Sequence, residues 1–173
     1  KPYSTLCPQQ AGAEDLGYEF HPDVLVLWIG AWEVYDHVWA GHTFRVDDPN
    51  YAALVEHRIQ ERLDRFRGIG APAVLVKVPC FGKDLPRLGT ERLDRHRVAW
   101  VNARLRAVAA RNRGWARIVD PTDVLCNADG TPRAKNEDGV AIRPDGTHFV
   151  EDSAVWFWKT WLAGKVAAAF GDA

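Results

Sequence analysis

A chain of 173 residues is long enough to fold as one domain around a buried core. Its hydrophobic fraction of 47% and charged fraction of 26% are ordinary for a globular protein. A net charge of −1 gives no general argument for nucleic acid or an anionic membrane surface as a partner. No apolar run approaches the roughly 20 residues that cross a bilayer.

Three short apolar runs predict buried strands. Residues 24–29 and 73–78 are almost continuously apolar, as strands covered on both faces should be. Residues 117–120 form a shorter third run. A glycine or proline follows each run and ends the predicted strand.

Three amphipathic patterns predict helices that alternate with the strands. The first begins after Asp48-Pro49 and ends at Gly68, the second is centred on residues 98–108, and the third opens near Asp152, which is predicted to be its N-cap. This order predicts an α/β fold, in which a parallel sheet has helices on both sides in three α/β/α layers. The core face of the last helix is predicted to carry Val155, Trp158, Leu162, Val166 and Ala169.

The connections at residues 31–48 and 120–147 both follow predicted strands, where parallel sheets form their ligand crevices. Residues 1–20 contain no convincing strand, so the predicted sheet has three strands and one flank open to water. We therefore expect residues 1–173 to be a single domain, the later part of a larger sheet whose first strand is absent at the N-terminus.

The step from Asp145 to His148 leads directly into the last predicted helix. A carboxylate beside a histidine supplies two-thirds of a hydrolytic triad, because it orients the imidazole that acts as base. The chain has only two serines, Ser4 and Ser153, and neither lies in a turn built to activate a nucleophile. The alternative interpretation is structural, since Asp-Gly is a common turn pair and histidines often cap helices.

Two segments resemble blocks of a known hydrolase family. Residues 24–33, a buried strand that ends in Gly-Ala-Trp-Glu, resemble the third block of SGNH (GDSL-type) hydrolases. Residues 143–149 resemble the last block, which holds the Asp and His of a Ser-His-Asp triad. The likeness is closest to SGNH domains attached to acyltransferase family 3 membrane proteins, in which Trp-Glu replaces the family's Asn-Asp. Two further motifs of those domains recur here, Pro79-Cys80-Phe81 and Leu125-Cys126 followed by Asp129-Gly130.

The resemblance implies roles for individual residues. His148 would be the general base and Asp145 its orienting partner, while Gly30 would line the oxyanion hole. Trp32 stands where the family has an asparagine that donates to the oxyanion. An indole N–H is displaced from the position that an amide would reach, so we expect Trp32 to contact substrate instead.

Glu33 and Arg143 complete the candidate site. Glu33 follows the strand end and should face the crevice, where it would hydrogen-bond a sugar hydroxyl or pair with Arg143. A purely structural ion pair is an equal alternative.

Another polar cluster follows the first strand, and we interpret its members as ordinary loop residues rather than metal ligands. These are Asp36, His37, His42, Asp47 and Asp48.

The resemblance implies an esterase or O-acyltransferase that acts on acyl esters, above all acetyl esters, of cell-surface carbohydrate. The serine of the triad would lie outside this chain. The implied partners are an acylated carbohydrate and either a membrane acyltransferase domain or the missing N-terminal segment, with no nucleic acid. The chemistry requires no metal or organic cofactor, and the implied location is extracytoplasmic or in the cell envelope. The alternative is a non-catalytic carbohydrate-binding or interaction domain that keeps the SGNH fold.

Cys7, Cys80 and Cys126 make an odd number, so at least one thiol has no partner within the chain. Their spacing matches no zinc template. Buried thiols are one interpretation, and a single disulfide is the other if the protein lies outside the cytoplasm.

Overall fold

The computed structural model describes residues 7–83 and 89–171. In chain order the helices and strands are α1 (Cys7–Glu19), β1 (Leu25–Leu27), β2 (His37–Trp39), β3 (His42–Phe44), α2 (Pro49–Arg67), β4 (Ala73–Val76), α3 (Arg95–Arg111), β5 (Ala116–Val119), α4 (Thr122–Leu125), α5 (Glu151–Phe157) and α6 (Ala163–Phe170). A 3₁₀ turn, Glu91–Leu93, precedes α3, and a π-helical turn, Trp158–Leu162, joins α5 to α6.

The protein is a mixed α/β structure built on a three-stranded parallel sheet. The strand order is β1-β4-β5, so the three predicted strands pair in parallel and β4 lies in the middle. All four residues of β4 are buried, which explains why its sequence is continuously apolar. Within the described residues β1 has β4 as its only neighbour, and its other edge is open.

Alternate residues of β4 belong to two different core clusters. Ala73 and Leu75 pack with the buried faces of α2 and α3. Val74 and Val76 pack with residues of the C-terminal part of the chain, including Phe157. Because side chains alternate across a strand, the central strand contributes to the core on both faces of the sheet.

Helix α2 confirms its predicted pattern. Asp48 caps the helix by accepting a hydrogen bond from the Asn50 amide at 2.8 Å, and Pro49 occupies the first turn, where its missing N–H costs nothing. The helix ends at Gly68, as predicted. The buried side chains are those that the periodicity selects, with Ala52 added: Tyr51, Ala52, Val55, Ile59, Leu63 and Phe66.

The predicted core face of the last helix is wrong at two positions. Val155 is 46% exposed and Trp158 is 47% exposed, whereas Phe157 and Leu162 are buried. The buried positions 157 and 162 are five residues apart because the π-helical turn inserts one extra residue between them. A pattern of spacings three and four cannot accommodate that insertion. The helix begins at Glu151 with Val150 as its N-cap, two residues before the predicted cap at Asp152.

Besides the short helix α4, two elements are absent from the sequence-based predictions. Helix α1 is one of them, and it lies against α2 through ion pairs of Glu14 with Arg62 and Asp15 with Arg65. The other is an antiparallel hairpin of β2 and β3, closed by Ala40-Gly41 with positive φ at both residues, as a type I′ turn requires. In the part of the chain that the structure describes, no helix has the length and apolarity needed to span a bilayer.

Candidate active site

The segments that follow β1 and β4 meet the loop at residues 143–149. The ring of Trp28, just after β1, packs edge-on against the ring of Phe149 with centroids 5.6 Å apart. The amide of Gly82, after β4, donates to the carbonyl oxygen of Gly146 at 2.7 Å. A Cβ on Gly82 would come within 2.6 Å of the Gly146 Cα, so this crossing requires glycine. The loop therefore lies at the carboxyl ends of two parallel strands, where α/β folds bind ligands.

Asp145 and His148 are in direct contact on this loop. The Nδ1 of His148 lies 2.7 Å from Oδ2 of Asp145. The other oxygen, Oδ1, accepts the amides of Thr147 at 2.8 Å and His148 at 2.7 Å. Gly146 has φ of +72°, which lets the chain turn tightly enough for both residues to face each other. The carboxylate is thus held by backbone donors while it orients the imidazole.

The environment of Asp145 favours its ionised form. Partial burial opposes the charge, but hydrogen bonds from the His148 amide, the His148 ring and the Thr147 amide outweigh it, so the pKa of Asp145 lies below its ordinary value. The His148 side chain is 69% exposed and the Asp145 side chain is 31% exposed. This arrangement suits a base: a solvent-facing imidazole whose second nitrogen is bound by a carboxylate.

Arg143 is buried beneath the loop rather than in the crevice. It is only 4% exposed, and its guanidinium donates to the carbonyl oxygens of Cys80 at 2.8 Å and Leu125 at 2.9 Å. Burial lowers the pKa of Arg143 to about 10, opposed by the negative charge of Asp145. Among the described residues its partners do not include Glu33, so the predicted alternative of an ion pair between them is not seen. Arg143 instead ties the Asp145 loop to the segments after β4 and α4.

A disulfide fixes the same region. Cys80 and Cys126 are bonded, with Cα atoms 6.0 Å apart, which selects the second of the two interpretations of the cysteines. The bridge joins the segment after β4 to the residue that follows α4. The side chain of Cys7 lies outside the described residues.

The segment after β1 holds the remaining predicted site residues. Gly30 has φ of +118°, and a Cβ there would lie 2.5 Å from Val78 and 2.8 Å from Val101, so no larger residue fits. Trp32 is 51% exposed. Glu33 is half-buried, and its carbonyl oxygen accepts a hydrogen bond from the Tyr51 hydroxyl at 3.2 Å.

Ser153 is fully buried and has structural partners. Its Oγ lies 2.7 Å from the carbonyl oxygen of Ile142 and 2.9 Å from that of Val150, and it accepts the Val150 amide at 3.1 Å. These contacts cap α5 and leave the hydroxyl enclosed in the core. A nucleophile must reach the substrate and have a base beside it, so Ser153 does not suit that role. The other serine, Ser4, lies outside the described residues.

The polar residues after β1 take individual structural roles. Asp36 pairs with Arg97, and the pKa of Asp36 lies below its ordinary value mainly because of the hydrogen bond from Arg97. Asp47 binds the exposed ring of His96 at 2.8 Å. Asp48 caps α2, as described above. No group of His, Cys, Asp and Glu in residues 7–83 and 89–171 has the geometry of a metal site.

Sequence reasoning missed the exposed aromatic surface of the hairpin. Val38 is 63% exposed and Trp39 is 57% exposed, while His37 and Phe44 pack against the ring of Tyr51. The available signal was the β-branched and aromatic residues Val38, Trp39, Thr43 and Phe44 on either side of Gly41, which favour two short strands joined by a turn.

The sequence matches no protein-family model, and no curated protein is significantly similar to it.

Proposed function

We propose that this chain carries the Asp-His part of a serine-type ester hydrolase or O-acyltransferase that acts on acyl esters of carbohydrate. The observation that carries the proposal is the 2.7 Å contact between His148 Nδ1 and Asp145 Oδ2 on a loop at the carboxyl ends of β1 and β4. The resemblance of residues 24–33 and 143–149 to two SGNH blocks supports the same assignment.

In the proposed reaction a serine hydroxyl attacks the ester carbonyl while the Nε2 of His148 accepts its proton. Asp145 keeps the proton of Nδ1 in place and stabilises the imidazolium by its negative charge. The imidazolium then protonates the departing alcohol, and a water or a sugar hydroxyl releases the acyl group by the reverse sequence. Acetyl is the acyl group that the resemblance favours, and none of these steps uses a metal or organic cofactor.

The serine would be supplied by a strand added to the open edge of β1. The Leu25 amide donates to Pro72, on the β4 side, so Val24 and Val26 direct their backbone groups to the open edge. A cavity of about 410 Å³ lies along this edge, and Phe20 and Phe66 contribute to its largely apolar lining. A parallel strand placed there would end on the same rim as His148, which is where a nucleophile is needed.

The oxyanion would be stabilised at the segment after β1. The close packing of Gly30 against Val78 and Val101 holds the backbone there rigidly, which favours a fixed amide donor. Trp32 and Glu33 would contact the sugar, Trp32 through its exposed ring and Glu33 by accepting from a hydroxyl. The Cys80–Cys126 disulfide supports an extracytoplasmic or cell-envelope location, because disulfides persist in oxidising compartments.

The test is turnover of p-nitrophenyl acetate by the full-length protein and by His148→Ala. We expect the substitution to lower kcat by about 10³-fold or more, as removal of a triad base does. The matched control is His42→Ala, because His42 is an exposed histidine on the hairpin. Equal activity of the wild type and the His148 variant would show that the proposed role is wrong.

The second candidate is a carbohydrate-binding domain without catalysis. Two observations favour it: the indoles of Trp32 and Trp39 are both more than half exposed, and Ser153 is enclosed in the core. Exposed aromatic rings with polar neighbours suit stacking against sugar rings. This alternative predicts that Trp39→Ala weakens oligosaccharide binding while the full-length protein, like its His148 variant, shows no esterase activity.

A further inference from the structure

A second cleft lies beside the candidate active site, on the other side of the segment that follows β4. It has a volume of about 270 Å³ and lies between residues 77–81, the exposed face of α3 and the turn at residues 126–130. The charged side chains that line the cleft carry one sign of charge. Among the described residues that form its walls, four are basic and none is acidic: Lys77, Arg92, Arg95 and Arg106.

The buried arginine of the cleft is held by neutral acceptors. Arg92 is 2% exposed, and its guanidinium donates to the carbonyl oxygens of Gly82, at 3.0 Å, and Gly89. Its Nε has no hydrogen-bond partner within the described residues. Carbonyl oxygens orient a guanidinium without cancelling its positive charge, so the charge stays available to a ligand.

Arg95 and Arg106 lie on one face of α3, with Asn102 between them. Arg95 donates to the carbonyl oxygen of Asp129. A Cβ on Gly130 would come within 2.7 Å of the Arg95 guanidinium, so the absent side chain leaves room for it. The pKa of Asp129 is lowered mainly by hydrogen bonds from Thr131 and also by the positive charge of Arg95, so this carboxylate partly offsets the charge of Arg95. Arg106 forms no ion pair with a carboxylate within residues 7–83 and 89–171.

Other arginines of the protein differ in this respect. Arg62 pairs with Glu14, and both Arg104 and Arg111 pair with Glu56. Within the cleft Lys77 pairs with Asp120, and Arg95 lies near the Asp129 carboxylate. Four basic side chains line the cleft and two carboxylates, Asp120 and Asp129, lie beside them, so the wall keeps a net positive charge that attracts and orients an oxyanion.

We infer that this cleft is a binding site for an oxyanion, either a phosphate or a carboxylate carried by the ligand. Arg95 and Arg106 contact the anion from α3, and Arg92 supplies charge from the cleft wall. The inference goes beyond the proposed function and does not depend on catalysis by His148. If both hold, the carbohydrate substrate is an acidic one, because the cleft adjoins the segment whose Gly82 contacts Gly146.

The experiment titrates the ¹⁵N-labelled chain with inorganic phosphate, with glucuronate and with glucose at constant ionic strength, following amide and arginine Nε–H signals by NMR. We expect saturable shifts at Gly130 and Asn102 with phosphate, glucuronate or both, and none with glucose. Arg95→Gln/Arg106→Gln should weaken binding about tenfold or more, since charge-assisted hydrogen bonds are lost. Tighter phosphate binding identifies a phosphorylated ligand, and tighter glucuronate binding identifies a uronate.

The matched pair is Arg106→Gln and Arg111→Gln, since each removes one charge from α3 and residue 111 lies outside the cleft. Arg111→Gln should change the affinity less than about twofold, because residue 111 lies outside the cleft. A generic effect of removing positive charge would instead weaken binding equally in the Arg106 and Arg111 variants. Thermal unfolding of each variant shows that it is folded. The inference is overturned if neither anion saturates, if Arg111→Gln weakens binding as much as Arg106→Gln, or if glucose produces the same shifts. His148→Ala should bind the anion as the wild type does, so failure of the proposed catalysis leaves this result unaffected.

Discussion

Removal of the Cys80–Cys126 bridge by the double substitution Cys80→Ala/Cys126→Ala should lower stability strongly. The two cysteines are 46 residues apart in sequence. A disulfide that closes a loop of that length lowers the conformational entropy of the unfolded chain. This raises the free energy of unfolding by about 4 kcal/mol at 25 °C. A domain of this size loses roughly 2–4 °C in Tm per kcal/mol, so the expected decrease is about 8–16 °C.

The measurement is urea unfolding with and without dithiothreitol, for the wild type and the double variant. Dithiothreitol should lower the free energy of unfolding of the wild type nearly to that of the double variant, and it should leave the value for the variant unchanged. Thiol titration of the denatured, unreduced wild type should find one thiol, because two of the three cysteines are bonded. Three reactive thiols would refute the pairing. A free energy of unfolding equal in both proteins, with the bridge shown to be present, would refute the entropic reasoning.

Three further predictions concern single side chains. Ser153→Ala should lower the free energy of unfolding by about 1–3 kcal/mol, because a buried carbonyl loses its donor, and should leave ester turnover by the full-length protein unchanged. Asp145→Asn should lower kcat by about 10⁴-fold and weaken the acid dependence of stability. The pKa of Asp145 is depressed in the folded state, so its stabilising effect is complete above the ordinary pKa of aspartate and is lost as pH falls through the folded value. The hydrogen bond to Asp47 raises the pKa of His96, so this pair stabilises the fold below the ordinary pKa of histidine and the effect disappears as pH rises through the raised value. NMR titration should show that Asp47→Asn lowers the pKa of His96.

Each of these predictions has a contrary result. Loss of turnover in Ser153→Ala without loss of stability would make Ser153 the nucleophile. An unchanged kcat in Asp145→Asn would remove the carboxylate from the reaction. If the pKa of His96 is the same in the wild type and in Asp47→Asn, the contact between the two side chains does not persist in solution.

The parts of the fold that sequence predicted are those in which local pattern and burial agree. The continuous apolar run of β4 predicts a strand covered on both faces, and the periodicity of residues 51–66 followed by Gly68 predicts α2. The Asp145-to-His148 step is also local, because three residues of chain and one glycine suffice to bring the two side chains together. Where only neighbouring residues decide the geometry, the sequence is enough.

Other features depend on residues far apart in the chain. Arg143 is a predicted crevice residue by its position, yet its contacts with Cys80 and Leu125 depend on how the segments after β4 and α4 meet. The buried face of the last helix is shifted by a π-helical turn, which residue spacing does not reveal.

By itself, the sequence determined the three strands of the parallel sheet, the three helices that alternate with them and the contact of Asp145 with His148, since these follow from hydrophobic periodicity and short-range turns. Only the tertiary structure decided which cysteines are bonded, which arginines lack carboxylate partners and where the open edge of β1 lies. The physical reason is that burial, disulfide geometry and the summed charge of a cleft depend on distances between segments that are remote along the chain.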